Sequence, residues 1–446
     1  MAGEESRNIT LHLLIRINEE GVLYHLALRD ALTKANYLPA RDKALIKRIT
    51  SGAIENLIKI DYIIDLYSKT PVEKMKPLIR NLLRMSVYQI IFMDNIPDRA
   101  ACDEAVKLAV RRGFSPLKGF VNGILRNISR NKEQLEIPSL SIRYSIPEWL
   151  AAKFLSEYDD SVVETIFADF LTIKPLTVRI CEGYTENEQE TWVTAVRDSG
   201  FEVNPHPYLN YAYEIQNTDQ ISRLSGYNEG FFAVQDVSSM MVCEALGVSR
   251  NDVVLDVCAA PGGKALHISE RVKKVIAYDL SEHKCSLINE NAKRLKRRNV
   301  EISVQDATIF NPSLINKADI VLADVPCSGL GVIGKKPDIK YRLTNALLND
   351  ISDLQKQILA TVWQYVKPNG ILLYSTCTIN NSENEKMMDW FIANYPFVHD
   401  DFPQEFNDML KRNNIKQSET DKGMLKLLPG ICRTDGFFIC RLKRKS

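Results

Sequence analysis

The chain has 446 residues, of which 45% are hydrophobic and 25% are charged, and its net charge is +1. This length favours two or three domains, and the composition is typical of a globular protein with an ample core. No apolar run reaches the roughly 18 residues that a membrane helix needs, and the first residues are polar and acidic, unlike a signal peptide. A cytoplasmic protein without membrane contact is therefore expected.

Residues 7–136 are predicted to be helical almost throughout. Apolar residues recur at helical spacing, Gly and Pro divide the run into short helices, and no alternating strand pattern intrudes. The predicted core positions are Leu11, Leu14, Ile17, Ile46, Ile49, Ala53, Leu57, Ile60, Ile64, Leu78, Leu82, Met85, Tyr88, Ala105, Leu108, Val121 and Ile124. An all-α bundle over residues 1–137 is the predicted first domain.

Positive charge is concentrated in this first region. Residues 1–140 hold 22 Lys and Arg against 16 Asp and Glu, which indicates contact with a polyanion, although a solvated helical surface explains the charge equally well. The segments Ile96-Pro-Asp-Arg-Ala-Ala-Cys-Asp-Glu-Ala and Lys118-Gly-Phe-Val-Asn-Gly-Ile-Leu-Arg126 resemble NusB-like RNA-binding domains. The residues that could then reach a phosphate backbone are Arg111, Arg112, Lys118, Arg126 and Arg130.

Residues 138–230 are predicted to form a small α+β linker module, which begins near Pro138 and Pro147. Helical patterns occur at Trp149–Tyr158 and Asn187–Ser199, and short strand patterns occur at Leu176–Ile180, Phe201–Val203 and Tyr211–Ile215. Its residues indicate no function.

From residue 231 to 446, strands and helices alternate in the pattern of an open, largely parallel α/β sheet. The predicted strands are Val253–Val257, Lys274–Tyr278, Val300–Val304, Ala318–Ala323, Gly370–Ser375 and Phe437–Arg441. The predicted helices are Glu282–Arg298, Asn345–Val366 and Ser382–Asn394.

A glycine turn and two strand-end acids predict a cofactor pocket. The glycines after the strand at 253–257 let the backbone approach a ligand, and the helix from Lys264 offers unpaired N–H groups. Asp279 and Asp306 end the next two strands, where ribose hydroxyls and an adenine amino group would lie. This order resembles the adenosine-binding layout of class I (Rossmann-like) S-adenosylmethionine methyltransferases. The resemblance implies S-adenosylmethionine as cofactor, held by Cys258, Ala259, Ala260, Pro261, Gly262, Gly263, Lys264, Asp279, Asp306 and Asp324.

A second glycine pattern, Gly329-Leu-Gly331-Val-Ile-Gly334, formally matches the dinucleotide fingerprint. Two lysines and Pro337 follow where a helix should begin, so the match is interpreted as accidental. A mobile loop beside Cys327 is predicted instead.

Two cysteine motifs carry the predicted chemistry. Asp324-Val-Pro-Cys327-Ser-Gly and Ser375-Thr-Cys377-Thr each follow an apolar run typical of a buried strand. Carbon 5 of cytosine is a poor nucleophile until a thiolate adds to carbon 6, and the reaction then needs an activated cysteine and a base outside any stack. Nine cysteines occur without a Cys-x-x-Cys pair or a Cys/His cluster, so no metal site and no disulfide framework is predicted.

Together with Asp256-Val-Cys-Ala-Ala-Pro-Gly-Gly-Lys264, these motifs resemble those of RNA cytosine-5 methyltransferases. With the NusB-like start and the tail Leu427-Leu-Pro-Gly430 … Asp435-Gly-Phe-Phe438, the chain is similar to the RsmB (Sun/Fmu) family, which methylates one cytosine of 16S ribosomal RNA. The resemblance implies that Cys377 is the nucleophile, that Cys327 assists elimination, that Asp324 contacts N3 of the base, and that Lys264 orients substrate or cofactor. A monomer that binds small-subunit ribosomal RNA is expected.

Two alternatives remain open. The first is cytosine-5 methylation of transfer RNA or of another ribosomal site. The second is a non-catalytic RNA-binding factor of ribosome assembly, against which the intact Cys327, Cys377, Asp279 and Asp324 argue.

Overall fold

The computed structural model describes residues 2–216, 221–416 and 422–446. Its contacts divide the chain into two compact units. The helical unit comprises Met1–Thr172 and Ile333–Arg342, and the sheet unit comprises Ile173–Val332 and Leu343–Ser446. Among the described residues, no helix is both long and apolar enough to span a bilayer.

The helices in chain order are α1 (Ala2–Asn18), α2 (Tyr24–Lys34), α3 (Ala40–Glu55), α4 (Leu57–Tyr67), α5 (Pro77–Phe92), α6 (Asp98–Arg111), α7 (Lys118–Asn131), α8 (Leu140–Tyr144), α9 (Glu148–Glu157), α10 (Asp160–Asp169), α11 (Glu186–Asp198), α12 (Val237–Leu246), α13 (Gly263–Ile268), α14 (Glu282–Arg294), α15 (Ile339–Arg342), α16 (Asn345–Val362), α17 (Glu385–Asn394) and α18 (Gln404–Arg412).

The strands are β1 (Leu176–Ile180), β2 (Glu202–Pro205), β3 (Ala212–Gln216), β4 (Phe232–Val234), β5 (Val253–Asp256), β6 (Lys274–Asp279), β7 (Val300–Val304), β8 (Ala318–Asp324), β9 (Val366–Thr376), β10 (Phe397–His399), β11 (Met424–Leu427) and β12 (Phe437–Arg444).

The helical unit confirms the predicted all-α bundle. Most of the predicted core positions are buried, with Leu57 and Leu78 at its margin. Gly52 of α3 lies directly against the ring of Tyr88 of α5, and a Cβ at this glycine would stand 1.9 Å from the ring. The absence of a side chain at this position therefore allows α3 and α5 to approach closely.

A short segment from the second half of the sequence completes the helical unit. Tyr341 of α15 is partly buried there, and its hydroxyl donates to the carbonyl of Ile54, at 2.8 Å. The neighbouring Lys340 is 1% exposed, and its Nζ donates to the carbonyl of Glu55, at 2.8 Å. Both bonds add donors to carbonyl groups in the last turn of α3, where the regular helical hydrogen bonds end.

The observed division differs from the three predicted domains. Residues 140–169 form α8, α9 and α10, which group with the helical unit. The amide of Lys59 donates to the hydroxyl of Ser145, at 3.0 Å, and so joins this segment to α4. Residues 173–230 group instead with the sheet unit, where Arg179 of β1 forms a buried ion pair with Glu270, at 2.8 Å.

The sheet unit contains two sheets. A four-stranded antiparallel sheet has the order β2-β3-β1-β4, and the larger sheet has the order β10-β12-β9-β8-β5-β6-β7, with β11 added beside β12. β5 to β9 run parallel, while β10, β11 and β12 pair antiparallel. From β5 the chain moves outward through β6 and β7, and it then returns to β8 on the other side of β5. The junction of β5 and β8 is therefore the topological switch point, outside which ligands bind in open α/β sheets.

Candidate active site

The predicted glycine turn lies at this switch point, directly after β5. Gly262 adopts φ +102°, and a Cβ added there would stand 3.2 Å from Leu266 and Ile288. A Cβ at the next residue, Gly263, would meet no atom within 4 Å. The first glycine therefore satisfies the backbone conformation of the turn, and the second leaves space for a ligand. The other predicted members of the turn are Cys258, Ala259, Ala260 and Pro261, and the Ala260–Pro261 bond is cis.

Asp279 ends β6 and holds the glycine turn in place. Its Oδ2 accepts from the amide of Ala260 at 3.0 Å, and its Oδ1 accepts from the amide of Leu280 at 2.7 Å and from Nζ of Lys284 at 2.8 Å. A carboxylate has about four acceptor sites, so these bonds leave room for a further donor. Sequence reasoning placed this acid correctly beside the turn but missed its bond to the turn itself.

Asp306 follows β7 and is fixed locally. The amide and hydroxyl of Thr308 donate to Oδ1, at 2.8 and 2.7 Å, and these two bonds lower the pKa of Asp306. The carboxylate thus lies at the carboxyl edge of the third parallel strand, as predicted.

The two predicted cysteines converge. Asp324 and Ser375 are register partners at the ends of β8 and β9, so the chains that leave these strands start side by side. Sγ of Cys327 and Sγ of Cys377 lie 3.2 Å apart. The hydrogen bond that Cys327 shares with Cys377, burial, and the negative charges of Cys377 and Glu383 raise the pKa of Cys327 well above its usual value. Cys327 is therefore held as a thiol.

Asp324 and Lys264 form an ion pair beside the thiols. Nζ of Lys264 lies 2.5 Å from Oδ2 of Asp324, and the hydroxyl of Ser375 donates to Oδ1, at 2.8 Å. The lysine Nζ also lies 5.1 Å from the centre of the Phe437 ring. Burial alone would lower the pKa of Lys264, but Asp324 outweighs burial, and a negative charge on Cys377 acts in the same direction, so this pKa is raised.

The loop after Cys327 is bonded to its surroundings. The amide of Gly331 donates to the carbonyl of Cys377 at 3.1 Å, and the amide of Gly436 donates to the carbonyl of Gly331 at 2.9 Å. A Cβ at Gly331 would stand 2.0 Å from the carbonyl oxygen of Gly436. The next helix begins only at Ile339, so this glycine pattern does not open a helix as the dinucleotide fingerprint requires.

Sequence reasoning missed a buried acid behind the two cysteine loops. Glu383 bonds to Ser328, the residue after Cys327, and Ser328 bonds in turn to Thr378, the residue after Cys377. An acid among asparagines just before a helix was the available signal, but it is also typical of a helix start.

The matched families cover both halves of the chain. Residues 243–443 match the family model of the 16S rRNA methyltransferase RsmB/F, and residues 4–130 match the NusB family. A probable ribosomal RNA small subunit methyltransferase B from Bacillus subtilis (strain 168) is 34% identical, with 99% of each chain covered. The ribosomal RNA small subunit methyltransferase B of Cronobacter sakazakii is 29% identical, with 91% of each chain covered.

Solved structures share the fold. The crystal structure of PH0851 has a TM-score of 0.80 at 24% identity, with 98% of this chain and 99% of that chain covered. NSun6 from Pyrococcus horikoshii has a TM-score of 0.58 at 19% identity, with 67% of this chain and 98% of that chain covered.

An open sheet with a glycine turn at its switch point, preceded by a NusB-type bundle, defines an α/β methyltransferase with an appended helical domain. The chain belongs to the RsmB/F family of 16S rRNA methyltransferases.

Proposed function

We propose that the chain transfers a methyl group from S-adenosylmethionine to carbon 5 of one cytosine in 16S ribosomal RNA, through a covalent adduct with Cys377. The observation that carries this proposal is the convergence of Cys327 and Cys377, whose sulfur atoms are 3.2 Å apart beside the Lys264–Asp324 pair. Family membership supports the substrate class, since the full-length relatives are named as small-subunit ribosomal RNA methyltransferases.

In the proposed reaction, the thiolate of Cys377 adds to carbon 6 of the cytosine. The ammonium of Lys264 is close enough to interact with this thiolate, and a nearby cation favours the ionised nucleophile. The addition leaves negative charge on the ring, so N3 takes up a proton from solvent, and the resulting N3–H donates to the carboxylate of Asp324, which stabilises the ring as electrons move towards carbon 5.

S-adenosylmethionine, when bound, supplies an electrophilic methyl group to carbon 5. Transfer of the carbon-5 proton to a solvent water then restores the double bond between carbon 5 and carbon 6 and expels the Cys377 thiolate. Cys327 lies in contact with the leaving sulfur and assists this elimination. Two neighbouring thiols thus divide addition and release between them.

The proposed cofactor site is the edge formed by the glycine turn and two acids. The space at Gly263 admits the ligand, Asp279 receives ribose hydroxyls, and Asp306 receives the adenine amino group. The open cradle and the free acceptor capacity of Asp279 fit this cofactor. We further propose that the protein acts as a cytoplasmic monomer without a metal, and that its helical unit binds RNA.

The test is bisulfite sequencing of 16S ribosomal RNA from cells that lack the protein. One cytosine should lose its protection, and the wild-type gene should restore it while the Cys377→Ser gene should not. Cys432→Ser is the matched control, because Cys432 is also half-buried in the sheet unit but lies outside the site. Full protection in the absence of the protein would exclude this activity.

A further inference from the structure

Glu383 is a buried carboxylate between the two cysteine loops. The residue is 0% exposed and lies five residues after Thr378, before α17 begins. In the part of the chain that the structure describes, no lysine or arginine pairs with it. Burial of a charged group is costly unless hydrogen bonds compensate, so the arrangement of its neighbours is informative.

Four donors converge on this carboxylate. Oε2 accepts from the amide of Ser328 at 2.8 Å and from Nε2 of Gln355 at 3.0 Å. Oε1 accepts from the hydroxyl of Ser328 at 2.5 Å and from Nδ2 of Asn380 at 2.8 Å. A carboxylate offers acceptors to all four donors, whereas a carboxamide would turn its own NH₂ group towards two of them.

These bonds hold the Cys327 loop on both sides of the cysteine. Ser328 follows Cys327 and is bonded through its amide and hydroxyl, while Nε2 of Gln355 also donates to the carbonyl of Pro326, which precedes Cys327, at 2.9 Å. The Cys377 loop supplies only the fourth donor, Asn380, and a bond 2.7 Å long joins the hydroxyls of Ser328 and Thr378. The hydrogen bonds of Glu383 therefore act mainly on Cys327.

We propose that Glu383 is a positioning residue of the methyl transfer, which holds Cys327 against the sulfur of Cys377 for the elimination step. This inference rests on the proposed function, because it assigns Glu383 to one step of that reaction. Glu383 touches neither substrate nor cofactor and acts through Ser328 and Gln355.

The test variant is Glu383→Gln, which keeps the shape of the side chain and removes two acceptor positions. The matched control is Glu385→Gln, two residues further on, whose carboxylate pairs with Lys426, at 2.5 Å, instead of with Ser328 and Gln355. In single-turnover assays with ribosomal RNA, we expect adduct formation in Glu383→Gln to stay within about threefold of wild type. Adduct release should slow by about 10- to 100-fold, the range that corresponds to loss of hydrogen bonds to a charged group.

Glu383→Gln should therefore accumulate a protein–RNA adduct on denaturing gels, lower kcat and leave KM for RNA nearly unchanged. A merely structural role would reduce adduct and product in parallel, and that outcome, or wild-type release, would overturn the proposal. Ser328→Ala provides a milder second variant, since it removes only the hydroxyl bonds and should show the same slow release with an unchanged melting temperature. Absence of 5-methylcytosine with the wild-type protein would instead refute the proposed function.

Discussion

At the scale of single residues, the two thiols differ in the charges that surround them. Cys377 can interact with the ammonium of Lys264, whereas Cys327 is exposed to the negative charge of Glu383. A cation favours a thiolate and a buried anion favours a thiol, which agrees with the two roles proposed for these cysteines.

This asymmetry predicts opposite outcomes for two alanine variants. Cys377→Ala should abolish methyl transfer and the adduct, because burial and the charge of Glu383 still raise the pKa of Cys327 when Cys377 is absent, so that Cys327 does not replace the nucleophile. Cys327→Ala should form the adduct and fail to release it, which denaturing gels with labelled RNA will detect. Swapped outcomes would reverse the assignment of the two cysteines.

Asp256 predicts a pH dependence of stability. Burial and the neighbouring Asp324 raise the pKa of Asp256 to about 7 in the folded chain. The unfolded chain loses this proton near pH 4, so between about pH 4 and 7 the folded protein binds more protons and its free energy of unfolding falls as pH rises. Asp256→Asn lacks this titrating carboxyl. As pH rises through this window, its free energy of unfolding should therefore increase relative to that of wild type, by on the order of 1–4 kcal/mol.

Denaturant unfolding at pH 4.5 and pH 8 measures this difference. Asp353→Asn is the control, because the Asp353 side chain is 66% exposed. The difference in free energy of unfolding between this variant and wild type should be the same at both pH values. A constant difference for Asp256→Asn would show that the carboxyl titrates normally.

At the scale of elements, β5 and β6 cooperate in forming one site. The carboxylate at the end of β6 holds the turn that leaves β5, through the bond between Asp279 and the amide of Ala260. Parallel strands that pair side by side bring such distant sequence segments to one edge.

Asp279→Ala should therefore weaken S-adenosylmethionine binding in two ways, by removal of an acceptor for the ligand and by release of the turn. We expect titration calorimetry to show a binding free energy for S-adenosylmethionine that is weaker by about 1–3 kcal/mol. Lys284→Met is the comparison variant, since it removes the ion pair to Asp279 and leaves the turn bonded, so it should lose less. Wild-type affinity in Asp279→Ala would remove this residue from the site.

The sequence predicted the elements that carry continuous apolar runs. β5, β6, β8 and β9 were identified because buried parallel strands are apolar along most of their length. β12 was identified from the apolar residues at its start, and the edge strand β7 from its β-branched residues. β10 and β11 were missed, since a three-residue and a four-residue strand give too short a pattern at the margin of the sheet. Motif order placed Cys327, Cys377, Asp279 and Lys264 in one predicted site. The pattern around Glu383 could not be distinguished from a helix start, because its donors Ser328 and Gln355 are far away in the sequence.

At the scale of the whole molecule, the proposal that the helical unit binds RNA can be tested with the basic side chains on its surface. Arg112 and Lys118 are exposed, whereas Arg111 pairs with Glu4 and Arg126 pairs with Asp103, so the first two are the better candidates for binding phosphate groups. Deletion of residues 1–136 would be a poor test, because residues 333–342 would lose their partners within the helical unit.

Charge reversal at Arg112 and Lys118 should instead lower RNA affinity and reduce the salt slope by about 0.7–0.9 for each phosphate group that the variant no longer binds. Fluorescence anisotropy across a range of salt concentrations measures both quantities. Arg41→Glu, which reverses an exposed charge of α3 in the same unit, is the control. Unchanged affinity and slope would indicate that this surface binds something other than RNA.

The late position of residues 333–342 in the sequence also delays completion of the helical unit during translation. Translation delivers α1 to α10 first, yet Lys340 and Tyr341, which satisfy the end of α3, arrive only after the first part of the sheet unit. At roughly 5–20 residues per second, the delay from Thr172 to Arg342 is roughly 10–30 seconds. During that interval the nascent bundle remains unfinished on the ribosome, with the carbonyls of Ile54 and Glu55 open to water or to a chaperone.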